Sequence, residues 1–280
     1  GAVFNEASND VDFRVESNGR TNAFMVDGGN NSVLCGDATV ARTIFGDNAV
    51  LQVEGTDATA SMSIFKNADD NNGAQLTLGS SRGTSTGSNT VVQDGDTLGR
   101  IGFVGADGTD AATPGALISA VVDGTPGGND LPTRLMFFTT PNGSNSLAER
   151  MRIFNDGTFT FFKDSTNDAT AGIAFDPSGL GAFTRSDGTV FVINRQSTDG
   201  TLVDFRNANS TEGTIGISGS TVSYNGFSGL HESSGIATNV AIGTVVSTID
   251  ELDVYPSKQK NLRDNSEEDH PKAGQTRADH

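Results

Sequence analysis

The chain has 280 residues, a formal net charge of -17 at pH 7 and a single cysteine, Cys35. The acidic balance argues against a nucleic-acid partner, because binding to phosphates requires a clustered positive surface. One cysteine rules out a disulfide framework and a thiolate metal site, and no apolar run approaches the roughly 18 residues of a membrane span, so membrane insertion is not expected.

Turn signals recur along the whole sequence. Asp-Gly or Asn-Gly occurs eleven times, and such pairs accept the positive φ values of tight hairpin turns. The runs between them are short, apolar and β-branched, and no stretch carries a sustained helical period apart from a short turn near residues 146–149. The pattern predicts an all-β protein built of short β-hairpins and meanders, with very little helix.

The N-terminal part of the chain, residues 1–78, is expected to be a β-repeat module. Alternation of apolar and polar residues predicts four strands in this part. They cover residues 11–15, 23–26, 61–65 and 75–78, and the last two form a hairpin around Asn72-Gly73. The following segment, residues 79–96, opens with a run of Gly, Ser and Thr and is interpreted as a linker or loop.

The middle of the chain carries the clearest strand pattern. Residues 97–165 are predicted to be a five-strand fibre repeat and residues 166–218 a second β-meander. The expected strands of these two parts are residues 99–104, 115–122, 134–139, 149–154, 158–162, 189–194, 201–205 and 214–217. Residues 219–280, with one more strand at 221–224 and a charged stretch from 251, are expected to be a C-terminal tip module or the start of a chaperone-like region.

Phenylalanine is the main aromatic residue, with 17 Phe and no Trp. Several of these rings alternate with polar residues on strands bounded by turns, which favours packing in a shared core over a role as sugar-stacking platforms. The candidates for a trimer core are Phe137, Phe159, Phe161, Phe191 and Phe205.

The patterns that suggest chemistry are incomplete. His231 lies near Ser228 and Ser233 in the sequence, but a Ser/His pair needs a triad geometry that adjacency does not give. Residues 67–73 crowd Asp and Asn into one loop, yet the glycine falls seventh and no Glu closes the loop as a calcium site requires. The glycine run at 102–108 does not open a helix, so it is not a nucleotide loop. No catalytic residue, cofactor site or metal site is therefore predicted.

Five segments carry a resemblance to a known family. They are Gly99-Arg100-Ile101-Gly102-Phe103, Gly115-Ala116-Leu117-Ile118-Ser119-Ala120, Asp123-Gly124-Thr125-Pro126-Gly127, Arg134-Leu135-Met136-Phe137-Phe138-Thr139-Thr140, and Glu149-Arg150-Met151-Arg152-Ile153 with Asp156-Gly157. Together they resemble a repeat common in phage tail-fibre and appendage proteins. Residues 12–17 and 24–27 resemble another module of the same proteins. The resemblance implies an elongated homotrimeric fibre with β-prism-like or β-helix-like segments, located in the tail fibre of a virion.

A further resemblance concerns the C-terminal region of the same fibres. Residues 223–231 are similar to the beginning of that region, through a motif that includes Ser223, Tyr224, Asn225 and His231. In several such fibres the region is an intramolecular chaperone that nucleates trimerisation and can cleave itself off. The Ser-Asp-x-Arg-x-Lys pattern of one self-cleaving chaperone family is absent here, so no scissile bond is assigned.

These observations favour a structural component of a viral tail fibre or appendage, which mediates host-surface recognition and adhesion as a homotrimer. The expected partners are two further copies of the chain, other virion tail proteins, and a host cell-surface glycan or protein. The alternative is an enzyme, either a tailspike-type polysaccharide depolymerase or a self-cleaving chaperone domain at 219–280. A calcium-dependent adhesin ranks last, because Gly28-Gly29 and Gly127-Gly128 are isolated rather than part of a nonapeptide repeat.

Overall fold

The computed structural model describes residues 12–39, 41–56, 60–226, 258–260 and 267–269. Within these ranges every element of regular secondary structure is a β-strand and no helix occurs, which confirms the all-β class. The same residues contain no helix with the length and apolarity needed to cross a membrane. The chain divides into two units, Gly1–Val192 and Ile193–His280.

The first unit begins with a four-stranded sheet of order β1-β2-β3-β6. Its strands are β1 (Phe13–Ser17), β2 (Arg20–Asp27), β3 (Ser32–Gly36) and β6 (Leu51–Glu54), and the short hairpin of β4 (Thr43–Ile44) and β5 (Asp47–Asn48) lies between β3 and β6 in the sequence. The first three strands are antiparallel, whereas β6 runs parallel to β3. Met25, Leu34 and Ala38 form its small buried core.

A seven-stranded sheet follows in the same unit. Its strands are β7 (Thr97–Val104), β8 (Pro114–Val122), β9 (Thr133–Thr139), β10 (Ala148–Ile153), β11 (Phe159–Phe161), β12 (Gly172–Phe175) and β13 (Gly181–Thr184). Every strand pairs antiparallel with its neighbours in the sequence, so the sheet is a simple meander. The five strands predicted between 99 and 162 are confirmed, and the residues predicted as a turn at 146–149 instead open into β10.

The second unit contains a three-stranded antiparallel meander and a separate hairpin. The strands are β14 (Gly200–Asn207), β15 (Ser210–Ser218) and β16 (Thr221–Asn225), then β17 (Lys258–Lys260) paired with β18 (Glu267–Asp269). Ala208 and Asn209 both have positive φ, 47° and 68°, which is the conformation of a two-residue type I′ hairpin turn. The strands predicted at 201–205, 214–217 and 221–224 are confirmed.

Two predicted elements are absent from the described structure. Neither the hairpin of residues 61–65 and 75–78 nor the strand at 189–194 is assigned as strand. A strand requires a neighbouring backbone to complete its ladder of hydrogen bonds, and no described part of this chain supplies one to these segments. The two predictions are therefore wrong for a single chain, although the apolar side chains that motivated them remain exposed.

Candidate subunit interface

One apolar row crosses all seven strands of the large sheet. Each of its members stands directly opposite the next in the register of the antiparallel pairs, and directly opposed residues project from the same side of a sheet. The row consists of Ile101, Ile118, Phe137, Met151, Phe161, Ile173 and Phe183.

A second row runs beside the first. Its members are Gly99, Ala120, Leu135, Ile153, Phe159, Phe175 and Gly181. Each lies two residues from a member of the first row on the same strand, and side chains two apart on a strand share a face. These fourteen residues, none of them charged or polar, are here called the apolar face.

The two sides of the sheet differ in burial. No residue of the apolar face is buried, and four large side chains, Ile101, Phe159, Phe175 and Phe183, are between 38% and 45% exposed. On the opposite side the residues of the alternate positions include Ser119, Met136, Thr160 and Ala174, which are all buried. The side of the sheet that carries the smaller and more polar side chains is therefore the covered one.

The loop between β11 and β12 covers part of that opposite side. The hydroxyl of Thr160, fully buried, donates to the carbonyl of Lys163 at 2.9 Å, and the ammonium of Lys163 donates to the carbonyl of Asn167 at 3.1 Å. Arg152 donates from Nη1 to the carbonyl of Asp164 at 3.1 Å. The loop thus supplies hydrogen-bond acceptors to Thr160, Lys163 and Arg152 on this side.

Arg152 is also fixed within its own strand. Its guanidinium makes a bidentate pair with Glu149, with distances of 2.8 and 2.7 Å, and lies 5.2 Å from the centre of the Phe154 ring. The hydrogen bonds that the Glu149 carboxylate accepts from this guanidinium raise the pKa of Arg152. The charged group on this side of the sheet is therefore paired, whereas the apolar face offers no polar partner at all.

Asp123 joins two turns at one end of the same sheet. Its carboxylate accepts a hydrogen bond from Nη1 of Arg134 at 2.7 Å and from the backbone N–H of Asn155 at 3.1 Å. The Asn155 side-chain amide donates in turn to the Asp123 carbonyl. This contact links the β8–β9 connection to the β10–β11 turn and holds the strands that form the centre of the apolar face.

The size of the apolar face can be estimated from sheet geometry. Seven strands at their usual spacing span about 34 Å, and two rows of side chains occupy about 14 Å along the strands, which gives an area of about 460 Å². A single monomer rarely exposes a larger contiguous apolar patch, and patches of this size often mark an interaction site. Covering it would remove apolar area worth at most about 12 kcal/mol from water.

The structure brings together most of the phenylalanines proposed for a trimer core. Phe137, Phe159 and Phe161 belong to the apolar face, and the Phe191 ring lies 5.0 Å from that of Phe183 at its end. Phe205 is in β14 of the second unit and is 44% exposed. None of the five is buried within the chain, and their role in a trimer stays a prediction.

The C-terminal motif is only partly described. Ser223, Tyr224 and Asn225 lie on β16, where the Asn225 amide donates to the Thr214 hydroxyl at 3.2 Å and to the Ser223 hydroxyl at 3.4 Å. The predicted residue His231 lies outside the described residues. The contacts around Asn225 support a hairpin and bring no nucleophile and base together.

Sequence reasoning missed more than half of the apolar face. The residues that it did not single out as candidates include Ile101, Ile118, Met151, Ile173, Phe175 and Phe183. Ile101, Ile118 and Met151 lie on predicted strands, where period two places each on one side of its own strand. Ile173, Phe175 and Phe183 lie on β12 and β13, which were not predicted. Only the register between strands shows that these sides coincide, and register depends on the turns and bulges between them.

The described residues provide few side chains in positions suited to bind a metal ion. Among them, no group of three or more His, Cys, Asp or Glu side chains is arranged to hold an ion. In the loop at 67–73, Asp70 accepts hydrogen bonds from Lys66 Nζ and from the backbone N–H of Asn72, both at 2.8 Å. These bonds lower the pKa of Asp70 and close a polar turn.

Comparisons with known proteins gave matches among solved structures only. No family model matches the chain, and no curated protein matches it. One similar structure is the carboxy-terminal domain of the bacteriophage T5 L-shaped tail fibre, with 16% identity and a TM-score of 0.38 over 61% of this chain and 68% of that one. Another is the same domain with its intra-molecular chaperone domain, with 16% identity and a TM-score of 0.38 over 72% of this chain and 56% of that one.

The present chain covers little more than half of the second structure.

Proposed function

We propose that this chain is a structural subunit of a phage tail fibre or appendage, and that three copies assemble through the apolar face. The observation that carries the proposal is the asymmetry of the seven-stranded sheet. Its polar side is covered in part by a loop of its own chain, whereas its apolar side, about 460 Å² by strand spacing, keeps large exposed side chains and meets Leu78 and Phe191 at its edges. Burial of such a face against copies of itself is the usual route to a closed homo-oligomer.

The assignment to a viral fibre is supported by the resemblance of residues 99–103, 134–140 and 149–153 to tail-fibre repeats. All three segments contribute to the apolar face, through Ile101, Leu135, Phe137, Met151 and Ile153. Segments that resemble the fibre repeat thus contribute to the candidate subunit interface. A location in the virion tail, beside other tail proteins, follows from the same assignment.

The recognition of a host surface is assigned to the exposed turns. Residues 105–110 and 141–146, which connect strands of the large sheet, are exposed and carry Asp-Gly and Asn-Gly pairs. Loops held on a rigid sheet are the usual carriers of binding residues, and three copies of a weak site would bind a cell-surface glycan or protein with avidity. An array of bacterial surface polysaccharides, probed with the oligomer, tests this part of the proposal.

We infer a non-enzymatic role for the described part of the chain. A glycosidase needs one carboxylic acid with a raised pKa, and an open pocket of about 320 Å³ next to the β12–β13 turn does contain Asp156, Asp168 and Asp176. Hydrogen bonds from Ser178 and from the Leu180 N–H, however, lower the pKa of Asp176. That group is suited to shape a turn and unsuited to act as the acid.

The mass of the purified chain in solution tests the assembly. Light scattering is expected to give about three times the 29.0 kDa of the chain, and a cross-linking ladder is expected to end at the trimer. A monomer at micromolar concentration would overturn the proposal. Self-cleavage within 219–280, if it occurs, would appear as a shortened chain in the mass spectrum of the same sample.

A further inference from the structure

The segment formed by residues 60–80 has strand-like sequence without a strand partner. Within the described residues, its backbone makes no hydrogen bond to another backbone. Met62 alternates with Ile64, and Leu76 alternates with Leu78, so each stretch carries two apolar side chains on one side. These four side chains and Phe65 are between 47% and 81% exposed.

We propose that residues 61–65 and 75–78 become β-strands by pairing with a neighbouring copy of this chain. The inference rests on the proposed function, because it requires the oligomer. It also identifies a second element of the interface that the apolar face does not contain. An extended segment with unpaired N–H and C=O groups is a ready template for strand addition between chains.

The C-terminal end of the segment reaches the apolar face. The side chain of Leu78 lies over Gly99, at the β7 edge of the second row, where a Cβ on the glycine would come within 2.5 Å of the Leu78 Cβ. Leu78 therefore fills the place that a side chain would take at this position. β7 is an edge strand of the sheet, so a copy that covers the apolar face also meets residues 75–78.

The area that a stable interface requires also indicates that a neighbouring copy of the chain covers this segment. A standard interface buries about 800 Å² on each partner, and the apolar face supplies only about 460 Å² by strand spacing. At the exposures given above, the five large side chains of the segment would add about 500 Å², on the order of 100 Å² each. The face and the segment together reach the size of a specific interface, whereas the face alone falls short of it.

The described part of the chain does not complete these strands. The turn at Asn72-Gly73 was expected to fold 61–65 back onto 75–78, but Asp70 closes a tighter turn through Lys66 and the Asn72 N–H. Gln75 Nε2 donates to the Thr77 hydroxyl within one stretch, at 2.9 Å. These local bonds leave the backbone groups of both stretches open to another chain.

Two measurements on the full-length oligomer test the inference. The first is hydrogen–deuterium exchange of the backbone amides at 61–65 and 75–78. Strand pairing between chains is expected to slow their exchange by on the order of 100-fold, relative to the loop amides at 84–87 of the same sample. In the second measurement, Phe65 is replaced by the photoreactive benzoylphenylalanine, and illumination is expected to give covalent dimers and trimers. The control carries the same group at the exposed loop residue Leu131, and there illumination is expected to leave the chains uncross-linked.

The outcomes separate the two proposals. An oligomer in which 61–65 and 75–78 exchange as fast as 84–87 would overturn the strand pairing and leave the proposed function standing. Protected amides with cross-links confined to one chain would also overturn it, because the chain would then cover its own strands. A monomer would overturn the proposed function and the inference with it.

Discussion

Phe159 stands directly opposite Phe175 on neighbouring antiparallel strands, and the two residues are 41% and 42% exposed. Phe175 also meets the Phe183 ring edge-on, with 5.8 Å between the ring centres. A cross-strand aromatic pair stabilises a sheet, but rings of this size bury far more area when another surface covers them. The pair therefore links the stability of β11 and β12 to assembly of the chain.

The substitution Phe159→Asp should convert the oligomer to a monomer. A carboxylate at the centre of an apolar interface loses its hydration without gaining a partner, so the dissociation constant is expected to rise by at least about 100-fold. Light scattering over a dilution series measures the shift. Leu180→Asp is the matched control, because Leu180 is 58% exposed in the β12–β13 turn of the same sheet but lies outside the apolar face. Equal dissociation constants of the oligomer in the two variants would contradict the assigned interface.

Much of this architecture was predictable from the sequence, and the exceptions have a common physical cause. Period two and Asp-Gly turns located the strands from 99 to 162, where each strand pairs with its neighbour in the chain. β12 and β13 were missed because Gly172–Phe175 and Gly181–Thr184 are too short to show a clear period.

The opposite error occurred at 61–65 and 189–194. There the local sequence favours a strand, but the partner that completes a ladder is absent from the described part of the chain. Local sequence indicates which residues suit a strand, and it does not show which chain supplies the neighbour.

The segment predicted as a linker contains an ion pair with a measurable acid dependence. Arg82 holds Asp96 through two hydrogen bonds of 2.6 and 2.7 Å, and the Gln93 N–H adds a third at 2.8 Å. These bonds, those from Arg82 first, lower the pKa of Asp96 to about 2. Because the folded-state pKa lies below its unfolded value of about 3.9, the stabilisation is present above that value and is lost as the pH falls toward 2.

An NMR titration of the Asp96 carboxyl should therefore show a midpoint near 2 rather than near 4. At neutral pH, Asp96→Asn removes the charge that holds the Arg82 guanidinium, so trypsin should cleave after Arg82 several-fold faster. Asp130→Asn removes the same charge from the β8–β9 connection and should leave the cleavage rate unchanged. An unchanged rate in Asp96→Asn would show that the pair does not order the loop.

Asp123→Ala should destabilise the first unit by about 1–3 kcal/mol, the cost of leaving a partly buried partner without its hydrogen bonds. Arg134 is the partner at risk, because its side chain is only 20% exposed and would lose its carboxylate. The turn at Asn155 would lose its anchor in the same substitution. Urea unfolding measures the loss, with Asp130→Ala in the same β8–β9 connection as control. A loss no larger than that of the control would rule out an anchoring role for Asp123.

Gly36→Ala should lower the unfolding midpoint much more than Gly19→Ala. Both glycines have positive φ, 98° and 94°, so both substitutions incur the cost of a left-handed conformation, about 1–2 kcal/mol. A Cβ on Gly19 meets open space, whereas one on Gly36 overlaps the carbonyl oxygen of Glu54 on the parallel strand β6. That oxygen also accepts the N–H of Asp37 at 2.7 Å, so it cannot move away without breaking the bond. Thermal unfolding of the two variants measures the difference, and equal losses would mean that β6 does not pack against β3 as described.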